Sequence, residues 1–412
     1  MTMQASTLTG FTFGSKNQVD QPIRVFYQVN SPDVRTELVL RAYYNGDRTN
    51  WYYPVTVDLG QKAAGQYSYN LQLTESQLHG LYRYYTKSSE CEVSFIIFTY
   101  TVSSPAQQVG EASSRDVTLR IPENEDTCPA VTMTVEPVNN FGAAFDGLYI
   151  KGKTKMRITM TADAKYEADL TLCQIGYLFR EEILYSINDP STAFPPFKHT
   201  IEVPLDNVTT SEPEYPAAIA EDSRGFSNGA WAEITVIDYA KPVIDAEAYR
   251  CDSNGNKSET GTYMRIKAKR SYSKVVSGGV QKNFCEIRYR IKAEGGDYGG
   301  WTTILARTAA SDEVTTSPLL GNLDTKTSYA VQIQAIDDIG DYGVTVSGLP
   351  TEEVYMHRHK NGLALGKYVE NGDDEPKLLD VAWNAHFRGE VLIGPEGMTL
   401  REYILSVINE GG

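Results

Sequence analysis

The chain has 412 residues, 53 acidic against 38 basic side chains, a formal net charge of −15 and a hydrophobic content of 41%. Scattered Lys and Arg in so acidic a chain exclude a nucleic-acid binder, which needs clustered cations against phosphates, and no apolar run reaches the ~20 residues of a membrane helix. The length exceeds one ordinary core and predicts roughly two to four domains, while 27 Tyr and 33 Gly favour strands and tight turns over helices.

The first ten residues, MTMQASTLTG, have no charged segment followed by an apolar one, so no export signal is expected. From residue 11 to 102 the runs IRVFYQV, TELVLRAYY, WYYPVTVDL and CEVSFIIFTYTV alternate as strands do and predict an N-terminal β-sandwich over 1–110. Within it, YYNGDRTNWYYP gathers Tyr43, Tyr44, Trp51, Tyr52 and Tyr53 around an Asn-Gly turn. Aromatic faces at such a hairpin suit either cross-strand pairing or stacking on sugar rings. These five residues are the candidate receptor contacts. The stretch SSPAQQVGEASSRD then reads as a polar link.

Two copies of one domain follow, expected over 111–240 and 241–355. Pro129 and Pro242 precede alternating strands 113 residues apart, Gly147 and Gly261 lie 114 apart with Tyr149 and Tyr263, Cys173 and Cys285 lie 112 apart, and Asp222 and Asp337 lie 115 apart with Gly225 and Gly340. Four matches in chain order predict a tandem repeat. Short β-branched and tyrosine-rich runs punctuated by Gly, Pro, Asn and Asp predict an immunoglobulin-like or fibronectin-like sandwich for each copy. Asp-x-x-Gly reads as a hairpin tip with glycine supplying positive φ. The five cysteines (Cys91, Cys128, Cys173, Cys251 and Cys285) are widely spaced and odd in number, and they read as buried free thiols of a protein made in a reducing cytoplasm.

Downstream of residue 355 the pattern becomes short, glycine-punctuated strands, a C-terminal module over 356–412. Its segment HKNGLALGKY resembles a phosphate loop only superficially. Gly362 and Gly366 enclose three residues where a Walker loop has four, and Tyr368 follows Lys367 where a hydroxyl should hold Mg²⁺. His357 and His359 share one strand face and would meet at a threefold axis as metal ligands, or form a solvated edge beside Arg358 and Lys360. The one strong helix signal, over 399–410, joins a Thr399–Glu402 capping box to a stripe of Leu400, Tyr403, Ile404, Val407 and Ile408. This stripe is the candidate oligomer interface of a homotrimer.

The stretches FDGLYIKGKTKMRITMTADAKYEADL, EDSRGFSNGAWAEITVIDY, YRCDSNGNKSETGTYMRIKAK and the MHRHKNGLALGKY and LLDVAWNAHFRGEVLIG pair resemble tail proteins of tailed phages and prophages of Gram-positive bacteria. The resemblance covers most of the chain and is strongest after about residue 141. It implies a siphophage-type tail-tip, fibre or baseplate component of the virion, made in the bacterial host cytoplasm. Expected partners are the chain itself, other tail proteins and, if it binds a receptor, a host surface polysaccharide.

Other chemistry is thin. DSNGNKSE begins like a calcium loop, but Lys257 stands where glycine is required and Tyr263 where the bidentate glutamate belongs, so a polar turn is expected. No H-E-x-x-H or G-x-S-x-G occurs, and His79, His199 and His386 stand alone in the sequence. The expectation is an all-β multidomain protein, elongated and structural, with no cofactor and no catalytic residue. The alternatives are a saccharide-binding receptor protein, a bacterial adhesin with Ig-like repeats, and a polysaccharidase.

Overall fold

The expected alternation is realised from the first strands onward. In IRVFYQV the side chains of Ile23, Val25, Tyr27 and Val29 turn inward while Arg24 faces water, as the two-residue period of a strand dictates. The computed structural model describes residues 3–14, 16–190, 196–208, 210 and 212–351, and five short strands within 356–399. It divides into two units, Met1–Tyr239 and Ala240–Gly412.

The first unit begins with a sandwich. A three-stranded sheet runs in the order β1 (Thr7–Thr12), β2 (Ile23–Val29), β5 (Gly65–Leu71), and a four-stranded sheet in the order β4 (Asp47–Gln61), β3 (Val34–Tyr44), β6 (Glu90–Thr101), β7 (Ser113–Arg120). Their inner faces share a core that includes Leu8, Val25, Tyr27, Leu38, Leu40, Phe95 and Ile97. Two expectations are corrected here. The supposed link over 103–116 runs into β7, paired with β6 from Ser113–Ile97 to Arg120–Glu90, so the N-terminal sandwich extends beyond residue 110. Leu119 is fully buried, but the polar residues around it hide the strand from sequence reading.

The second correction is α1 (Glu75–Tyr84), a helix the sequence reading does not contain. Thr74 and Gln77 form its capping box: the Gln77 amide donates to the Thr74 hydroxyl at 3.4 Å, and the Thr74 amide donates to Gln77 Oε1 at 2.9 Å. Leu81 and Tyr82 bury its inner face, while Glu75 and His79 keep its mean character polar. Tyr85, just past its end, donates its hydroxyl to the Glu92 carbonyl and accepts the Tyr43 amide at 3.0 Å.

The first repeat is a second sandwich. Strands β8 (Ala130–Val138), β10 (Lys155–Asp163) and β13 (Phe197–Pro204) form one sheet in the order β13-β10-β8. Strands β11 (Leu170–Tyr177), β12 (Arg180–Asn188), β14 (Pro216–Asp222) and β15 (Ser227–Trp231) form the other in the order β12-β11-β14-β15. A two-residue parallel pair joins β9 (Tyr149–Ile150) to β16 (Val236–Ile237).

In the second unit the design recurs. Strands β17 (Val243–Cys251), β18 (Tyr263–Ser271) and β23 (Glu313–Thr315) lie in the order β17-β18-β23, and β21 (Cys285–Ala293), β22 (Thr302–Leu305), β24 (Tyr329–Asp337) and β25 (Tyr342–Leu349) in the order β22-β21-β24-β25. A small hairpin of β19 (Val276–Ser277) and β20 (Val280–Gln281) is added. Both repeats thus share one fibronectin-like arrangement of three strands against four, and the fold class is tandem all-β sandwiches.

The sequence alignment is right at Pro129, Cys173 and Asp222 but out of register between them. The second strands β10 and β18 match Met156 and Ile158 to Met264 and Ile266, all fully buried and 108 apart. The Gly147–Gly261 match at 114 fails because the first repeat carries extra residues before β10, and these form β9. The Asp-x-x-Gly tips are hairpins as expected. Asp222 Oδ1 accepts the amides of Arg224 (2.9 Å) and Phe226 (3.2 Å), and Asp337 Oδ1 those of Gly340 and Asp341 (3.1 Å each). Gly225 (φ 83°) and Gly340 (φ 95°) supply the left-handed turn. All five cysteines are free and buried. Burial pushes the Cys173 thiol up to about 11 and Cys285 to about 12, which makes them inert at neutral pH.

After residue 351 the described strands are β26 (Met356–His359), β27 (Gly362–Leu365), β28 (Leu378–Val381), β29 (Leu392–Ile393) and β30 (Met398–Thr399). β26 runs antiparallel to β27, with His357 opposite Ala364 and His359 opposite Gly362, and β27 runs parallel to β28. The GLALG segment is therefore strand from Gly362 to Leu365 rather than a phosphate loop. The expected helix beyond Thr399, with Leu400, Tyr403, Ile404, Val407 and Ile408, lies outside the described residues, as do Gly366 and His386.

Candidate functional site

The aromatic hairpin of the N-terminal sandwich joins β3 to β4 through Asn45 (φ 45°) and Gly46 (φ 82°). Two successive left-handed residues make the tight turn whose twist matches that of its strands. Asn45 also ties the tip to the end of α1, its Oδ1 accepting the amides of Thr86 (2.9 Å) and Lys87 (3.1 Å).

The structure divides the five nominated aromatics between two faces. Tyr44 and Tyr52 turn toward Tyr84 at the end of α1, with ring centroids 5.3 and 4.3 Å from it. Burial holds the Tyr52 phenol far above its ordinary range. Tyr43 stands directly across from Trp51 on the outer face of the four-stranded sheet. It is 3% exposed, its hydroxyl 2.7 Å from that of Ser94. Trp51 (45% exposed) and Tyr53 (43%) lie beside it with ring centroids 4.9 Å apart. Val39 and Ile96 lie on the same outward face, beyond the Arg41–Ser94 pair, and are each 3% exposed.

Two arginines complete the face. The Arg41 guanidinium lies 5.1 Å from the Tyr43 ring centroid and 5.9 Å from that of Trp51, and its Nε is buried with no hydrogen-bond partner among the described residues. Arg48 lies over Tyr43 at 5.4 Å and pairs with Asp116 at 2.9 Å. A hydrogen bond from Ser94 and then the Arg48 pair hold the Asp116 carboxyl below its ordinary range against the opposing effect of burial. Two exposed rings bordered by a stacked arginine and an ionised carboxylate match the needs of a pyranose: a flat apolar C–H face with hydroxyls at its edge.

The other nominated groups are distributed elsewhere. His357 and His359 lie in β26, far in sequence from His79 and His199. Asp252 closes its own turn, accepting the amides of Asn254 and Asn256 at 2.9 Å and the Asn256 side chain at 3.0 Å. Its carboxylate is occupied as the polar-turn reading expects. His199 stacks on Tyr185 at 3.7 Å.

Sequence reading misses a junction inside the first unit. The β14–β15 tip of the first repeat inserts Phe226 into the N-terminal core and Arg224 beneath it. His79 on α1 faces Tyr166 at 5.0 Å and Asp126 at 3.5 Å. Burial, then the hydrogen bond that Tyr166 donates to Asp126, push its phenol up to about 12. The available signal was Arg224 and Phe226 flanking Gly225, bulky residues in a tip that needs none.

Residues 216–392 match a family described as a siphovirus protein of unknown function (DUF859). No curated protein matches the chain. Similar solved structures include one concerning host cell surface retention of a 1.5-MDa bacterial ice-binding adhesin (11% identity, 80% of this chain and 91% of that one, TM-score 0.34). A Ca²⁺-stabilised adhesin that helps an Antarctic bacterium bind ice gives 14% identity over 84% of this chain and 73% of that one (TM-score 0.34). Mouse cadherin-23 EC22–24 gives 14% over 85% and 96% (TM-score 0.30). The match takes in less than half of the chain and likens that part to siphovirus proteins. No helix among the described residues is long and apolar enough to cross a membrane.

Proposed function

We propose that this chain, which matches a siphovirus family over 216–392, is a phage structural protein, a tail-tip, fibre or baseplate component that works by assembly and surface contact without turning over a substrate. The observation that carries this reading is the match over 216–392, which takes in the second sandwich and the strands that follow it. Tandem sandwiches suit the role, because each adds a stable surface without a catalytic cleft being required of it. Homotrimer formation through the terminal stripe and contacts to other tail proteins belong to the same proposal.

A second reading adds receptor binding at the N-terminal face, favoured by the exposed Trp51 and Tyr53 beside the unsatisfied Nε of Arg41. Purified chain mixed with host cell walls is expected to sediment with them and to release no reducing sugar. Trp51→Ala with Tyr53→Ala is expected to weaken that binding roughly tenfold or more, at about 0.5–1.5 kcal/mol per aromatic contact beyond area. Release of reducing ends would overturn the non-enzymatic reading. Unchanged adsorption of the double variant would remove the receptor site from this face and leave the structural role standing.

A further inference from the structure

The first repeat carries a second surface that no part of the proposed role uses. On the outer face of its four-stranded sheet, register sets Ile183, Gly176, Ala217 and Trp231 side by side across β12, β11, β14 and β15. The next row holds Gln174, Ile219 and Gly229. Ile183 (61% exposed) and Trp231 (59%) are walls, and Gly176 and Ala217 are the floor between them. Phe179 (75% exposed) and Tyr215 continue the wall from Trp231, with ring centroids 5.0 and 6.0 Å apart in succession.

Over the two central strands the fold does not require this exposure. In the second repeat the equivalent positions hold Arg288 over the floor and Gln334 and Gln332 beside it. Arg288 donates to Gln334 at 2.7 Å, Arg290 to Gln332 at 2.6 Å, and both arginines cover Trp301 at 4.6 and 4.5 Å. On the sister sheet these pairs cover the two central strands, and exposed apolar side chains are left along the edge strand β25, at Val344 and Val346. Leu178, Phe179, Ile183, Ile219 and Trp231 together leave on the order of 600 Å² of apolar surface, the upper end of what monomers expose. This is most of the ~800 Å² that one partner buries in a standard interface.

We infer that this face is the contact between two copies of the chain, paired about a twofold axis. An isologous contact needs a knob and a hole on the same patch, and this patch has both. The knob is the indole of Trp231 backed by Tyr215 and Phe179. The hole is a cavity of about 230 Å³ in which Gly176, Ala217, Ile183, Ile219 and Leu178 meet the rim residues Arg180, Glu181 and Glu182. Gly176 cannot be larger, since a Cβ there would meet the Glu182 carbonyl at 2.6 Å. Rings tilted at 84° and 60° and branched aliphatics form a stepped apolar surface, without the stacked arginine that borders the face around Trp51.

The rim sets a sign. Arg180 is engaged by Glu182 and Glu214, and Glu181 and Glu233 add further negative charge. Two copies bring like-charged rims together, so salt strengthens the contact by screening them, whereas docking of a basic-rimmed partner would weaken with salt.

Sedimentation velocity of the full chain over a concentration series, at roughly 0.05 and 0.5 M NaCl, reads the outcome. The expected result, read in the Ile404→Asp, Val407→Asp chain so that trimer formation through the terminal stripe does not mask it, is a dimer that strengthens with salt. Trp231→Ser with Phe179→Ser should weaken it at least thirtyfold, while Val344→Ser with Val346→Ser on the sister sheet leaves it unchanged. Both pairs are exposed, and an unchanged circular dichroism spectrum checks that each variant folds. Ile404→Asp with Val407→Asp should not dissolve this dimer, which separates it from any association through the terminal stripe. A chain that is monomeric throughout, a dimer indifferent to Trp231→Ser with Phe179→Ser, or association that weakens with salt would overturn the inference.

Discussion

Replacing Arg224 with methionine is expected to destabilise the first unit by about 3–5 kcal/mol, the usual cost of removing one member of a buried ion pair. Arg224 and Asp222 are both fully buried. The arginine donates from Nε and Nη2 to Asp222 at 3.1 and 2.6 Å, and from Nη2 to the carbonyls of Thr127 at 2.7 Å and Lys165 at 3.2 Å. Those carbonyls belong to the end of the N-terminal domain and to the loop after β10, so one guanidinium pins the hairpin tip to both. Its ring-facing side lies 5.1 Å from Phe226. With methionine in place, Asp222 keeps its turn amides but loses its counter-charge, and the Thr127 carbonyl loses its Arg224 donor, while that of Lys165 keeps the Ala168 amide at 3.3 Å. Urea unfolding followed at near- and far-ultraviolet wavelengths should show a lower midpoint for the first unit and an unchanged one for the second. An equal midpoint would mean that the junction is not held by this pair.

Arg270→Ala is expected to cost the second unit a similar ~3–5 kcal/mol and to open the chain around residues 306–312 to protease. Arg270 is fully buried and serves Asp312 Oδ1 at 3.1 Å and the carbonyls of Cys285, Ala306 (3.1 Å), Ala309 (3.3 Å) and Ser311 (3.3 Å). The reason lies in a difference between the repeats. In the first, β13 pairs with β10 along eight residues, from Lys155–Pro204 to Ala162–Phe197, and the position equivalent to Arg270 is the small Ala162. In the second, the continuous ladder of β23 with β18 is shorter, from Lys267–Thr315 to Lys269–Glu313, and ends on the Arg270 amide, which donates to the Asp312 carbonyl at 2.9 Å. Beyond that point the Arg270 side chain, not a strand ladder, holds the carbonyls of Ala306, Ala309 and Ser311, so alanine, sufficient in the first repeat, is insufficient in the second. Limited proteolysis with mass mapping checks this: cleavage within 306–312 is expected in the variant and not in the parent chain.

Local chemistry with a short range was legible in the sequence. The Asn45–Gly46 turn, the Asp222 and Asp337 tips and the inward cysteines follow from single residues whose φ or size admits few alternatives. The tandem duplication was legible because its strands keep their order. Its register between Pro129 and Cys173 was not, since the extra residues around β9 carry the same Gly-x-Tyr pattern as the start of β18. The strand β7 and the helix α1 were hidden for the opposite reason. Their buried side chains are few, and long-range pairing or a neighbouring sheet decides their state. At the candidate site, the sequence pointed to the hairpin but not to its two faces, because a register shift between Leu40 and Ala42 decides which neighbours meet. Arg41, Arg48 and Asp116 come from three strands and meet only in the folded sheet.

The role proposed for the chain is tested most directly by immunogold electron microscopy of purified phage particles with antibody against the second sandwich. The expected result is gold at one fixed position on the tail of every particle, with the chain retained through density-gradient purification. Particles that carry no label, with the chain left in the soluble lysate, would contradict a structural place in the virion.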